Sequence, residues 1–542
     1  MMRALVLFAC AISAWLVGAA SAACPRYGYI YKTQASGAVT TGADVTFDTD
    51  GPLSGLTHGA GAAALVFVSG GTFKITFSVS GSEANQFSLF LNGLLVPSTT
   101  YGSGAGQQQN SGQAIVTVAA ADALTLRNFA SATAVTLAPF AGGTQAHVMA
   151  SLLAEELLGD YAYIYRVAPG ATVAVNADVT FDSNGAMTGA ITHTFGLAQV
   201  VIVTAATYAV TFSLSGSEPN QFALFVNGIV ATGTTYGSGA GTQQTHGAAV
   251  LALGAGDVLT LRNFVSPAAV TLAPFVGGAS ANVAASLLIE SLTAVPQYAS
   301  VYTLGPATSV AVGASVAFVA NGALLGATHT GGSSDVVLTA SGVYSVVFSV
   351  SGSEANQFAL FVNGVAVTGA IYGSNNPTQE NTGQVLIAAS AGDVLTLRNH
   401  ASAAQITLAP IIGGTENTVV ASLLAKSVCI VASPTPSPTP VSPTPASPTP
   451  ASPTPVSPVS PTPASPTPAP QTCVFSQATG TCVGQCAGDG ACVLRPGDTC
   501  VCVANASGMG IVVALVLLLL VLAFIQCCCI TACPAQGCRR MA

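Results

Sequence analysis

Ionisable side chains are scarce in this chain, at 6% of residues. Three kinds recur at fixed spacing. Glu83, Glu218 and Glu354 stand 135 and then 136 residues apart. Arg127, Arg262 and Arg398 keep the same phase, as do His58, His193 and His329, each preceded by Thr. The Glu and Arg sets suit either strand-end ion pairs on a solvated face or charge-assisted contacts between neighbouring repeats, and all six residues are candidates for the second role. Three His gathered on one axis would make a metal-binding or pH-sensing cluster; ordinary edge or loop positions are the plainer reading. Asp122, Asp257 and Asp393 suit turn chemistry. The Gly-rich stretch 101–106 lacks the Lys-Ser/Thr of a phosphate loop. No nucleophile–base pair and no pair of catalytic carboxylates recurs, so the reading is a non-enzyme with no cofactor. A net charge of −8 and the lack of a basic patch argue against nucleic acid as a partner.

These residues ride on a unit of about 135 residues written three times, a domain-sized period. Its centre is Ser-Gly-Ser-Glu-Ala-Asn-Gln-Phe at 80–87, leading to Asn92-Gly93; it returns at 215–228 and 351–364. Phe73, Ile75, Phe77 and Val79 alternate with Lys74, Thr76 and Ser78, the pattern of a half-buried strand. Phe87, Leu89 and Leu91 continue it, and Asn92-Gly93 signals a hairpin. Further strands are expected at 29–31, 45–47, 65–68, 114–118, 124–128, 135–137 and 148–153. No helical stripe stands out, so the fold class is all-β: three tandem jelly-roll domains at 23–158, 159–294 and 295–428. Mean hydropathy is high at +0.63, yet the apolar runs inside the repeats are too short to cross a bilayer as helices.

The flanks read differently. Residues 1–22 resemble a secretory signal peptide, with Arg3, an apolar core and Ala-Ser-Ala before the cleavage point. Residues 429–472 form a Pro/Ser/Thr-rich stalk, whose stretch from Ser433 to Pro470 is roughly 120 Å long at about 3.1 Å per residue if it is a polyproline II rod, with O-glycosylation expected. Residues 473–502 hold Cys473, Cys482, Cys486, Cys492, Cys500 and Cys502, a stretch that needs cross-links because it is too short to build a core. A zinc site is the alternative, and the sequence does not choose among disulfide pairings. Residues 508–526 are long and apolar enough for one transmembrane helix, and Arg539 and Arg540 place the tail 527–542 inside the cell. Cys527, Cys528, Cys529, Cys533 and Cys538 are palmitoylation candidates, or free thiols. The expected topology is single-pass type I, with the repeats outside.

Four phrases carry a resemblance: Asn-Gln-Phe-Ala-Leu-Phe-Val-Asn-Gly at 220–228, Tyr-Gly-Ser-Gly-Ala-Gly at 236–241, Gly-Asp-Val-Leu-Thr-Leu-Arg-Asn at 256–263 and Ala-Ser-Leu-Leu-Ile-Glu at 285–290. With their counterparts in the other repeats, they make residues 26–428 resemble the C-terminal head of the collagen-like exosporium glycoproteins of spore-forming bacteria. The resemblance implies the jelly roll of the complement and tumour-necrosis-factor (TNF) superfamily, compact trimers, and a structural or adhesive surface role. Some related heads hold calcium, but no dense carboxylate cluster marks a site here. Unlike that family, this chain has no Gly-X-Y stretch and carries three heads itself.

Heads of that kind bury an apolar face against two copies, and the joints between repeats are only a few residues long. The three repeats are therefore expected to close into one intramolecular pseudo-trimer. Its start and end would lie together, which makes Cys24 and Cys429 a disulfide candidate; pairing with the six-Cys module or between chains is the alternative. The function expected is a membrane-anchored display of three heads, structural or adhesive, at a plasma membrane or viral envelope. The alternative is a lectin-like or receptor-like head that binds a specific glycan or protein.

Overall fold

Alternation along a strand needs a partner on each apolar face, and the first repeat supplies it with two antiparallel sheets. The computed structural model describes residues 24–430, except 36, 107 and 296, and the backbone of Cys473–Ser476, Thr481–Gly484, Ala491–Arg495 and Thr499–Val503. The expected signal peptide, most of the stalk, the transmembrane helix 508–526 and the tail lie outside the described residues. Among the described residues there is no helix, and so none long and apolar enough to cross a membrane.

In the first repeat the strands are β1 (Tyr27–Lys32), β2 (Ala38–Val39), β3 (Thr49–Ser54), β4 (Leu56–Thr57), β5 (Leu65–Phe67), β6 (Gly71–Ser80), β7 (Asn85–Leu91), β8 (Leu94–Leu95), β9 (Tyr101–Ser103), β10 (Gln109–Val118), β11 (Ala123–Asn128), β12 (Val135–Thr136) and β13 (Ala150–Glu156). One sheet runs β10-β6-β13-β1-β3, the other β4-β5-β11-β7-β8 with β9 also on β7, and β2 pairs with β12. Ile30, Phe73, Phe77 and Leu152 of the first sheet meet Phe87, Leu89, Leu124 and Leu126 of the second in one core. The other two repeats build equivalent sheets, so the described fold is all-β and of repeated jelly-roll-like type.

Local chemistry explains the turns. Asn92 and Gly93 both have positive φ, 52° and 78°, as do Asn227-Gly228 and Asn363-Gly364. That is the two-residue hairpin turn which matches strand twist. The Asn92 amide donates to Asp122 Oδ1 at 2.7 Å, and Asp122 Oδ2 accepts from the Ala119 amide at 2.7 Å. The expected turn role of Asp122 thus takes a definite form: it ties two neighbouring turns together. Asp257 does the same with Asn227 and Gly254, and Asp393 with Asn363 and Ser390.

Three sequence expectations need correction. Residues 45–47 are not a regular strand: Val45 and Phe47 are buried, and their amides bond to Leu126 and Ala62 rather than to a continuous ladder. The last strand of the third repeat, Val419–Ile430, runs past the expected boundary at 428, because Cys429 and Ile430 pair with Val343 and Gly342. Finally, β6 is not half-buried. Lys74 and Ser78 are as sequestered as Phe73 and Phe77, since the second face of its sheet packs on the neighbouring repeats. Phe212 of the second repeat is fully buried and meets Tyr236 edge-on, with ring centroids 5.8 Å apart. Phe212→Ala is expected to destabilise the chain by roughly 3–5 kcal/mol, read from denaturant unfolding.

Candidate functional site at the three-repeat axis

The second face of each first sheet carries polar side chains, and each must find a partner once covered. Four charges do so together. Lys74 on β6 faces Glu155 on β13 across the ladder. Glu290 and Lys426 occupy the position of Glu155 in the second and third repeats. The Lys74 ammonium lies 2.6 Å from Glu155 Oε2 and 2.9 Å from Glu290 Oε1. The Lys426 ammonium lies 2.8 Å from Glu290 Oε2 and 3.3 Å from Glu155 Oε1. The result is a closed square of alternating charge, contributed by three repeats and neutral in sum. All four residues are at most 6% exposed. Burial alone would push the carboxyls up, but Lys426 and Lys74 overcome it: Glu155 is lowered and Glu290 is held at about 2. Burial likewise opposes the charge on Lys74, and Glu155 with Glu290 raises it instead.

Above this square the repeats interlock in a cyclic sense. The loop after β12 reaches the third repeat, where the Gln357 side chain donates to the Gln145 carbonyl at 2.8 Å and accepts from its amide at 3.2 Å. Gln86 holds Ser280 of the second repeat in the same way, at 2.6 and 3.0 Å, and Gln221 holds Glu416 of the third, at 2.7 and 3.3 Å. Glycine makes room for this. A Cβ on Gly102 would overlap the carbonyl oxygen of Val276, and Gly237 and Gly373 sit likewise under Ile412 and Ala141.

The residues singled out from sequence lie elsewhere. Glu83, Glu218 and Glu354 do not join repeats; each accepts from a backbone amide of its own repeat, at Thr136, Thr271 and Thr407, at 2.7–2.8 Å. Arg127 and Arg262 pair with Asp44 and Asp178 at 2.7 Å and lie over Phe90 and Phe225. Arg398 meets Ser315 where the others meet Asp, so it keeps only the ring of Phe361 and the Thr396 hydroxyl. The inter-repeat role is thus corrected for all six: they need a fixed partner one or two strands away, and each repeat supplies its own. The three His form no axial cluster either. His58 bonds Asp50 Oδ1 and the Ala62 carbonyl, and His193 and His329 bond Asn184 and Asn321 in the same fashion. Among the described residues no group of three His, Cys, Asp or Glu is placed to hold a metal.

Cys24 and Cys429 are joined by a disulfide, with Cα atoms 5.1 Å apart across a sequence separation of 405. They border a cavity of about 370 Å³ whose lining includes Glu155, Glu290 and Lys426. In the six-Cys stretch, Cys473–Ser476 pairs with Thr481–Gly484, and Ala491–Arg495 with Thr499–Val503.

Sequence reasoning missed Lys74, Glu155, Glu290, Lys426 and the three Gln. The signal was present: in a chain so poor in charge, one register position reads Glu, Glu, Lys across the repeats, and the Gln stands inside the organising motif each time.

No family model matches the chain, and no curated protein matches it. Among solved structures, it is similar to a chain from "Life in the extremes: atomic structure of Sulfolobus Turreted Icosahedral Virus", at 11% identity. That match covers 74% of this chain and 91% of the other, with a TM-score of 0.14, too low to carry an argument.

Glu290→Ala leaves two buried ammonium groups facing one carboxylate. It is expected to destabilise by roughly 3–5 kcal/mol at neutral pH. The folded carboxyl titrates below its unfolded value of 4.5, so its contribution is complete above pH 4.5 and fades as pH falls towards 2. Unfolding curves of both chains between pH 2.5 and 7 should converge at the acid end.

Proposed function

We propose that the chain is a membrane-anchored surface protein displaying three TNF-like β heads, in a structural or adhesive role at a cell or virion surface. The observation that supports this best is the charge square at the axis. It joins Lys74 and Glu155 to Glu290 and Lys426, so three heads share one buried network within one chain. Heads assembled in this way need no second copy. Their recurring Glu, Arg and Asp side chains are engaged in holding turns and strand ends, which favours a scaffold over a reaction centre. The Pro-rich segment, the six-Cys stretch and the apolar run 508–526 that follow in sequence fit attachment on the C-terminal side.

Three measurements test the reading. Light scattering of the detergent-solubilised full chain is expected to give one chain mass; three chain masses would refute the single-chain ring. Protease added to intact cells or particles should release the repeats and leave a tag at Ala542 protected. On a glycan array the intact protein is expected to be blank while attachment of cells or particles is retained. Saturable, selective glycan binding would favour a lectin-like head instead.

A further inference from the structure

A second cavity lies between the three repeats, lined by Lys74, Glu155 and Glu380 among others, and beside it three equivalent side chains reach across the seams: Gln109, Gln244 and Glu380. Each pairs within its own repeat with the last Ser of a long strand, Ser80, Ser215 or Ser351. Gln109 spans to the third repeat: its Oε1 accepts from the Thr382 amide at 2.9 Å, and its Nε2 donates to the Thr382 carbonyl at 2.5 Å. Gln244 spans to the first repeat, accepting from the Ser111 amide at 2.8 Å and donating to its carbonyl at 3.1 Å. Both are two-bond clasps on one backbone residue. Glu380 spans to the second repeat, where Oε2 accepts from the His246 amide at 3.0 Å. Its Oε1 is buried and has no well-aligned hydrogen bond, with only the Ser349 hydroxyl in reach of the carboxyl. The Ser349 hydroxyl nearby pairs with Ser422 at 2.9 Å. By the equivalence of the three sites, Oε1 takes the place of Nε2 opposite the His246 carbonyl. A carboxylate there sets acceptor against acceptor; a carboxyl carrying its proton on Oε1 completes the third clasp.

The same seam is weaker elsewhere. Between the first and second repeats, Tyr163 and Tyr101 hydroxyls meet at 2.9 Å, and Gln113 bonds Ser286 and Thr211. Between the third and first, Tyr29 and Tyr372 hydroxyls meet at 2.9 Å, and Gln384 bonds Ser151. Between the second and third, Ser300 stands where Tyr29 and Tyr163 stand, and Ala248 where Gln113 and Gln384 stand. That seam keeps the Lys426–Glu290 pair and the Gln221 clasp at Glu416, but lacks the second Gln and the tyrosine pair.

We propose that the ring has one built-in weak seam, between the second and third repeats, closed at its cavity end by the proton on Glu380 and loosened when that proton leaves. The cavity, about 90 Å³, is lined by the titratable groups Lys74 and Glu155 of the first repeat, Tyr236 and His246 of the second and Glu380 of the third. Lys74 and Glu155 are committed to the square. Burial holds Tyr236 up and His246 down at about 4, so both are neutral around pH 7. Burial also pushes Glu380 up to about 8, against the pull of the His246 amide and the Ser349 hydroxyl. A carboxyl whose folded value lies above its unfolded value of 4.5 contributes fully below pH 4.5, and that contribution is lost as pH rises through about 8.

The test compares the full chain with Glu380→Gln, which supplies the missing donor without a charge. Both carry the same His246 and the same square, so those terms cancel in the comparison. The two chains should match in stability below pH 4.5. From there to about pH 8, the folded-to-unfolded ratio of E380Q should gain on the parent by about tenfold per pH unit, then level off. Gln244→Glu should carry the same pH dependence to the seam between the first and second repeats. Amide exchange at pH 8.5, corrected for intrinsic rates, should show less protection in Gln244–Leu253 than in Gln109–Val118 of the parent chain, and E380Q should restore it. Parallel pH profiles for parent and E380Q, or an E380Q chain that fails to fold, would overturn the proton clasp. Equal protection at the equivalent strands would overturn the weak seam.

Discussion

The ring depends on one constraint: the sheet formed by β10, β6 and β13 is covered on both faces. Its inner face closes the core of its own repeat, and its outer face lies against two others. Ser78, Ser151, Glu155 and Lys74 sit on that outer face and are buried, so each repeat presents polar groups that only its neighbours can satisfy. The charge square is the most demanding case. A buried ion removed from its partners is worth several kcal/mol of destabilisation, and here every carboxylate serves two ammonium groups from different repeats. Withdrawing the second or third repeat leaves the remaining charges unbalanced, and withdrawing the first takes one partner from both Glu290 and Lys426. The amide clasps follow the same logic with neutral groups, each taking one donor and one acceptor from a backbone position next door.

What could be read beforehand was what each repeat settles for itself. Phe73, Ile75, Phe77 and Val79 announce a strand by period, and Asn92-Gly93 announces its turn, because both need only local contacts. The second face of that strand was misread for a physical reason. Lys74, Thr76 and Ser78 look the same whether they face water or another repeat, since a polar interface and a solvated surface share a composition. Residues 45–47 have strand-like alternation, but their amides are taken by Leu126 and Ala62 instead of a continuous neighbour.

The candidate site was less legible still. Recurrence drew notice to Glu83, Arg127 and His58, which serve a need met inside each repeat. Yet recurrence alone does not separate the two roles, since Gln86, Gln221 and Gln357 recur unchanged and reach the neighbouring repeat. The charged axial groups behave differently. They differ between repeats because the axis is shared, and their partners lie far away in sequence: Lys74 and Glu290 are 216 residues apart. Variation within an otherwise exact register, Glu155, Glu290 and Lys426, was the more informative sign. Cys24 and Cys429 were approachable only through closure of the ring, since nothing local to either cysteine names the other.

Three separate chains related by a true threefold axis would place identical side chains around it. Three Glu there would repel, and three Lys would do the same. A single chain escapes that restriction, because each position on the axis is encoded separately. Two Glu and one Lys, completed by Lys74 from a strand where the other repeats carry Ala209 and Ser345, reach neutrality without any exact symmetry. The same freedom allows Gln, Gln and Glu at the clasps and Tyr, Tyr and Ser at the seams. Covalent linkage therefore does more than raise the local concentration of three heads. It lets their shared interior become asymmetric, which is how a ring of near-identical units can hold a neutral charge network and still have three unequal joints.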